Sequence, residues 1–292
     1  IVDNNPDYSE LIPFVEQYRE WEFFRHPLNL RLVQCPFRGL SYARNAGFSE
    51  ANGEWVLFLD DDALAEADLL EKYLEAVVKH PEAGLIGGHI LLQRPDHLDM
   101  PWQPGWERYW SHFETDYKGY TQVDNWSQFP WGANWCARRQ VLFQIGGFRG
   151  AYGRRGEDYS GGEEIIAASM IQKLGYAIAI LPQARVIHQV DPTRFTLQHL
   201  KHTIIAAQLI RYQAELDQYL PRDLSLPINP VKLLKQFLRS VKKPAKSITE
   251  KNKNQQTEIS FIFAAKRKLL RKHLLIECAR FKFLYPLLKK WL

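Results

Sequence analysis

Apolar and polar positions change period repeatedly over the first 190 residues, and each change marks an element. Residues 30–33 form a short β-like run, and residues 41–52 read as a short helix closed by Gly53. Trp55–Leu59 is an unbroken apolar pentapeptide, as expected of a central strand buried on both faces. Over residues 65–79, Leu69, Leu70, Tyr73, Leu74, Val77 and Val78 recur at helical spacing until Pro81 ends the pattern. Residues 85–92 predict a strand, residues 162–174 a helix and residues 184–187 another strand. Strands alternating with helices predict an α/β fold with a mostly parallel sheet flanked by helices.

The rhythm breaks over residues 93–135, which hold six of the nine tryptophans amid prolines and polar residues. Residues 193–219, between Pro192 and Pro221, predict a long amphipathic helix. A polar, basic linker follows over residues 227–256, and residues 261–292 interleave apolar residues with lysine and arginine. Three parts are therefore expected: an α/β body over 1–190, a helical extension over 191–228, and a basic linker with an amphipathic helical tail over 229–292.

Charge sharpens that division. Residues 229–292 carry 17 Lys+Arg against 3 Asp+Glu, a net of +14, while residues 1–228 carry −9. The overall +5 thus hides a mildly acidic body with a strongly basic tail. Apolar residues at 46% and charged residues at 24% exclude a collagenous or largely disordered chain. Cys35, Cys136 and Cys278 are too few and too scattered for a disulfide framework or a closed zinc site, so a reducing compartment is expected. No uninterrupted apolar run is long enough to span a bilayer.

Three segments carry candidate chemistry. Asp60-Asp61-Asp62 directly follows the apolar run Trp55–Leu59, and the carboxyl ends of strands are where α/β sheets bind ligands. Three adjacent carboxylates repel one another unless a cation compensates, and hard oxygen ligands suit Mn²⁺ or Mg²⁺ bridging a diphosphate. The competing reading is an acidic helix cap, which needs fewer carboxylates. Gly39 leads into a helix presenting Arg44, which suits a phosphate or a base, although a helical arginine is usually a solvated face. Gly161-Gly162-Glu163-Glu164 opens an apolar helix, where acids ordinarily serve the helix dipole; facing the triple Asp across a cleft, one becomes a general base. His188, after the strand at 184–187, supplies a nitrogen to a metal held by Asp62 or is simply structural.

Taken in order, Val2-Asp3-Asn4-Asn5-Pro6-Asp7, the Gly39 to Gly47 segment, Phe58 to Asp62, Trp131-Gly132-Ala133-Asn134, Ile145-Gly146-Gly147-Phe148, Gly162-Glu163-Glu164 and Val186-Ile187-His188 form a set far more specific than any member. Over residues 1–190 the chain resembles a family 2 glycosyltransferase of GT-A fold. The resemblance implies a nucleotide-sugar donor, UDP-linked first among the choices, a divalent metal and an inverting single displacement. It implies that Asp3 contacts the nucleobase, that Arg44 lies near base or phosphate, and that Asp60 and Asp61 approach ribose and diphosphate. Asp62 would hold the metal with His188, and Glu164 would be the catalytic base. Glu163, Trp131 and Asn134 would lie on the acceptor side, where flat aromatic faces suit sugar rings.

Three departures accompany the resemblance. A first strand and helix of about 30 to 40 residues ordinarily precede the Val2-Asp3 motif, so the body is expected to be N-terminally truncated. The usual Glu-Asp pair is Glu-Glu here, and Glu157-Asp158 just upstream also matches the pair. The expected function is sugar transfer to a hydroxyl in glycan, polysaccharide or glycolipid assembly. The alternatives are a non-catalytic sugar-nucleotide or glycan-binding remnant, or a nucleotidyltransferase. The acceptor is expected to be a glycan or lipid-linked, with peripheral membrane contact through the basic tail on the cytoplasmic face. Nucleic-acid binding is not expected, because no nucleic-acid motif accompanies the charge.

Overall fold

The computed structural model describes residues 1–5, 11–18, 22–23, 26–27, 30–156 and 161–221. The basic tail at 229–292, the end of the helical extension at 222–228 and the alternative Glu157-Asp158 pair lie outside the described residues. The chain divides into two compact units, residues 1–94 with 110–190, and residues 95–109 with 191–292.

In the first unit β1 (Val2–Asp3), α1 (Leu11–Tyr18), β2 (Glu22–Phe23), β3 (His26–Pro27), β4 (Val33–Gln34) and α2 (Leu40–Glu50) come first. Next are β5 (Trp55–Leu59), β6 (Ala63–Ala65), α3 (Leu69–Lys79) and β7 (Ala83–Leu92). The unit ends with β8 (Thr121–Gln122), β9 (Asn134–Arg138), α4 (Arg139–Gln144), α5 (Glu163–Lys173) and β10 (Ala177–His188). A six-stranded sheet runs in the order β5-β9-β7-β10-β6, with β8 also on β10, and β1 pairs separately with β4. The fold is α/β with helices about a central sheet, as the alternation of periods predicts.

Two expectations need correction. The sheet is mixed: β7–β10 and β1–β4 run parallel, whereas β9 runs antiparallel to both β5 and β7, and β6 and β8 run antiparallel to β10. Inserting β9 between β5 and β7 reverses the chain direction in the middle of the sheet. The unbroken apolar run of β5 is at the end of the strand order, and only Phe58 within it is buried. The strand covered on both faces is β7, whose first eight residues are all buried. Glycines hide it from an apolar count, yet they are needed: a Cβ at Gly87 would sit 2.0 Å from Pro130 Cβ.

The core gathers Leu85, Ile86, Ile90, Trp135, Ala137, Leu142, Ile171, Ile178 and Ile180, each at most 1% exposed. Asn134 is also fully buried, at the start of β9. Its Nδ2 donates to the carbonyls of His89 (3.0 Å) and Ala184 (2.9 Å), and its Oδ1 accepts from the Tyr73 hydroxyl at 2.8 Å. A register shift between Leu181 and Arg185 interrupts the β7–β10 ladder, and Asn134 takes up the Ala184 carbonyl stranded there.

In the second unit, the Trp102 ring lies 6.4 Å from Trp106 and 6.1 Å from Phe195. Its helix α6 (Leu197–Leu216) is capped by Thr196, whose side chain accepts from the His199 N–H. The predicted helix over 193–219 thus begins later, after a separate turn at Pro192–Arg194. No helix among the described residues is long and apolar enough to cross a membrane.

Candidate functional site

Asp60, Asp61 and Asp62 form the turn that leaves β5 and enters β6. The backbone closes tightly there: Ala63 N–H donates to the Asp60 carbonyl, and Gln189 N–H to the Asp62 carbonyl at 2.7 Å. The latter bond sets the turn beside the end of β10, and so beside His188. His188 Nε2 lies 3.0 Å from Asp62 Oδ1. Its Nδ1 lies 2.9 Å from the Trp110 carbonyl, an atom that can only accept, so Nδ1 carries the hydrogen. Nε2 is therefore the nitrogen presented to Asp62. Burial alone would lower the His188 pKa, but the Asp62 hydrogen bond and charge outweigh it and the net shift is upward.

That donor set fits a divalent cation. An imidazole nitrogen with a fixed tautomer and a carboxylate oxygen converge at the carboxyl end of the sheet, with Asp61 exposed beside them. No group of three or more His, Cys, Asp or Glu converges for a metal among the described residues. A magnesium-like ion commonly takes one or two protein ligands and completes its shell with phosphate oxygens and water.

A second ionic group sits behind the same turn. Arg44, on α2, is 7% exposed. It donates from Nη2 to Asp60 Oδ1 at 3.2 Å and from Nη1 to Glu163 Oε1 at 2.5 Å. Its Cζ also lies 5.7 Å from the centre of the Phe148 ring. A Cβ at Gly132 would come within 2.4 Å of Nη2, so the backbone there lies directly against the guanidinium and any larger residue would push Arg44 off its carboxylates. The carboxylates of Glu163, Asp60 and Glu164 hold the Arg44 pKa above its usual value despite burial.

Glu163 and Glu164 occupy the first turn of α5, whose N-cap Gly162 has φ 124°, a conformation that favours glycine. The two side chains part company there. Glu163 is 1% exposed, accepting from Arg44 on one oxygen and from Gly162 N–H on the other at 3.1 Å. Burial and the neighbouring Glu164 push its pKa up to about 8, against the pull of Arg44. Glu164 is half-buried and makes no hydrogen bond among the described residues.

At the end of β1, Asp3 is 5% exposed, and its Oδ1 accepts from Asn5 N–H at 2.9 Å. Its buried Oδ2 has no hydrogen-bond partner among the described residues, an orphan acceptor at the carboxyl end of β1. Asn4 ties the neighbouring loop, donating to the Phe37 carbonyl and accepting from Gly39 N–H, each at 2.7 Å.

The sequence-predicted residues thus fall into groups. Asp62 and His188 come together, as do Arg44, Asp60 and Glu163. Trp131 is half-buried, 5.7 Å from the Phe113 ring. Asn134 and Glu163, expected on the acceptor side, are both buried, and every polar side-chain atom of each is hydrogen-bonded. The helical phase carried a signal for Glu163, since it shares a buried face with Ile166 and Ala167. The Trp110 carbonyl that orients His188 has no side-chain signature, and no sequence pattern could have found it.

Comparison with known proteins adds an independent line. The sequence profile described as Glycosyl transferase family 2 matches residues 1–146. A glucosyl-dolichyl phosphate glucuronosyltransferase of Haloferax volcanii is 27% identical over 153 residues, covering 52% of this chain and 48% of that protein. The succinoglycan biosynthesis protein ExoM of Rhizobium meliloti is 33% identical over 61 residues, covering 21% of this chain and 20% of its own. The chain therefore spans about half the length of the first relative and a fifth of the second. A mannosyltransferase from Pyrobaculum calidifontis, solved with GDP-Man and Mn²⁺, aligns over 91% of this chain and 76% of its own, with 18% identity and a TM-score of 0.47. The profile takes in Asp3, Arg44, the acidic turn and Gly132, and half of the chain in all: the chain belongs to glycosyl transferase family 2.

Proposed function

We propose that the protein transfers a sugar from a nucleotide-sugar donor, UDP-linked, to a hydroxyl acceptor with inversion. The observation that carries this is the Asp62–His188 pair at the carboxyl end of the sheet, with the imidazole tautomer fixed by Trp110. Asp62 and His188 would hold Mn²⁺ or Mg²⁺. When bound, such an ion neutralises the charge of a departing nucleoside diphosphate.

The chain's own residues supply the rest. The orphan oxygen of Asp3 accepts an N–H from the base, and Asp61 and Asp60 line the approach to ribose and diphosphate. Glu164, half-buried and unengaged by hydrogen bonds among the described residues, takes the acceptor hydroxyl's proton as that oxygen attacks the anomeric carbon. Glu163, 1% exposed and bonded to Arg44 and Gly162 N–H, is closed to an acceptor that the half-buried Glu164 can meet. The half-buried Trp131 stands on the acceptor side.

The relative acting on a glucosyl-dolichyl phosphate supports a lipid-linked glycan as the acceptor. The +14 segment at 229–292 would draw the enzyme to an anionic membrane surface on the cytoplasmic side. Calorimetric titration with UDP, with and without Mn²⁺ and beside GDP, tests the proposal. Metal-dependent UDP binding is the expected result; a folded sample that binds neither nucleotide overturns it.

A further inference from the structure

Arg44 is 7% exposed. Each of its two terminal nitrogens donates to a different carboxylate, Nη2 to Asp60 and Nη1 to Glu163. Gly132 lies against the guanidinium, and the Phe148 ring approaches its carbon. Moving the guanidinium away would leave a glutamate that is 1% exposed without this partner, and leaving a buried polar group unpaired is costly.

The partners matter more than the pairings. Asp60 opens the acidic turn that contains Asp62, and Glu163 is the residue before Glu164 in the first turn of α5. We propose that Arg44 is a positioning residue that ties the acidic turn of β5 to the first turn of α5, holding the metal-side carboxylates and Glu164 in one fixed geometry. The assignment rests on the reading of Glu164 as the base.

The chemistry of the tie explains the residue types. Only a guanidinium offers two nitrogens in a rigid plane, so one side chain can grip two carboxylates on different elements. A lysine ammonium is a single point and can hold one of them well. Gly132 is the space the plane needs. The Arg44 N–H to Glu163 Oε1 is made whether Glu163 is ionised or protonated, so the tie survives its titration. Small displacements between a base and its reaction centre cost about 100-fold in rate, so a strut outside the reacting atoms can govern turnover.

The test is Arg44→Lys in the full chain, read in three ways. UDP affinity with Mn²⁺ is expected to change by less than tenfold, because the backbone bonds of the acidic turn keep Asp60 and Asp62 in place and the contacts of Arg44 are to the protein's own groups. Release of UDP from UDP-glucose and from UDP-glucuronate should fall in kcat by about 100-fold with KM unchanged. Glu163→Ala should reproduce the kcat loss, and Glu163→Gln, which keeps an acceptor for Arg44, should lose less. A tenfold or greater loss of UDP affinity with kcat retained would overturn the proposal and make Arg44 a donor ligand. Should the unaltered protein bind no UDP, the functional reading fails on its own, and hydrogen–deuterium exchange decides the tie. Arg44→Lys should then speed exchange at residues 60–63 and 163–167 together; faster exchange in one segment alone, or in neither, overturns it. If Arg44→Lys does not fold, the Glu163 variants carry the same three measurements with the same outcomes.

Discussion

Two acid–nitrogen contacts of similar length flank the same turn, and they are built for opposite ends. Asp62 and His188 meet at 3.0 Å with the carboxylate about a third exposed, whereas Arg44 and Glu163 meet with both side chains under a tenth exposed. An imidazole can exchange its proton for a metal because Nε2 has a lone pair once Nδ1 holds the hydrogen. A guanidinium has no lone pair to offer and keeps its charge. The first pair is therefore convertible, the second permanent. Proximity of opposite charges says little about role until the nitrogen type and the exposure are known.

Several changes would break or sharpen that contrast. The largest effect is expected from Glu164→Gln, which should lower transfer by about 10²- to 10⁴-fold while leaving metal-dependent UDP binding intact, as turnover and calorimetry would show. Asp62→Ala should remove the metal dependence of nucleotide binding altogether, seen as superimposable isotherms with and without Mn²⁺. On the closed side, Arg44→Met leaves Glu163 without its buried partner and should destabilise the fold by about 1 to 3 kcal/mol in chemical denaturation. Adding Glu163→Leu to that variant should recover much of the loss, since the uncompensated group is gone.

A smaller, pH-dependent effect belongs to Glu163 itself. Its folded pKa of about 8 lies above the ordinary 4.5, so the folded chain keeps a proton that the unfolded chain releases. Its contribution to stability is full below pH 4.5 and lost as pH rises through 8. Glu163→Gln should flatten this slope, so its melting temperature should gain on the unaltered protein by a few degrees, roughly, between pH 5 and 8. The smallest effect is on α3, where the Lys79–Glu75 pair at 3.0 Å is exposed, and Glu75→Gln should leave the melting temperature unchanged in a thermal scan.

How legible this was depended on whether chemistry or packing decided each residue. The α/β alternation and most elements could be read from period alone: residues 162–174 were predicted and Glu163–Lys173 is helical. The helix predicted from residue 65 starts at Leu69, because Ala63–Ala65 is drawn into the sheet by β10, a pairing remote in sequence. The central strand was misplaced because apolar run length favoured β5, whereas β7 owes its place to glycines that admit Pro130. In the site, the acidic turn announced itself by repulsion that something must offset. Glu163 and Glu164 are the same residue type side by side, and only the orientation of α5 against the sheet makes one buried and the other half-buried. Asn134 looked like a ligand-facing amide, yet a ladder irregularity in β10 claims it.

The contact between Gly132 and Arg44 makes two distant positions a single unit of inheritance. A methyl group at 132 would lie 2.4 Å from the guanidinium, so alanine there would displace Arg44 from Asp60 and Glu163. Giving up the arginine would leave Glu163 buried without its cation. A change at any one of positions 44, 132 and 163 is therefore felt at the other two.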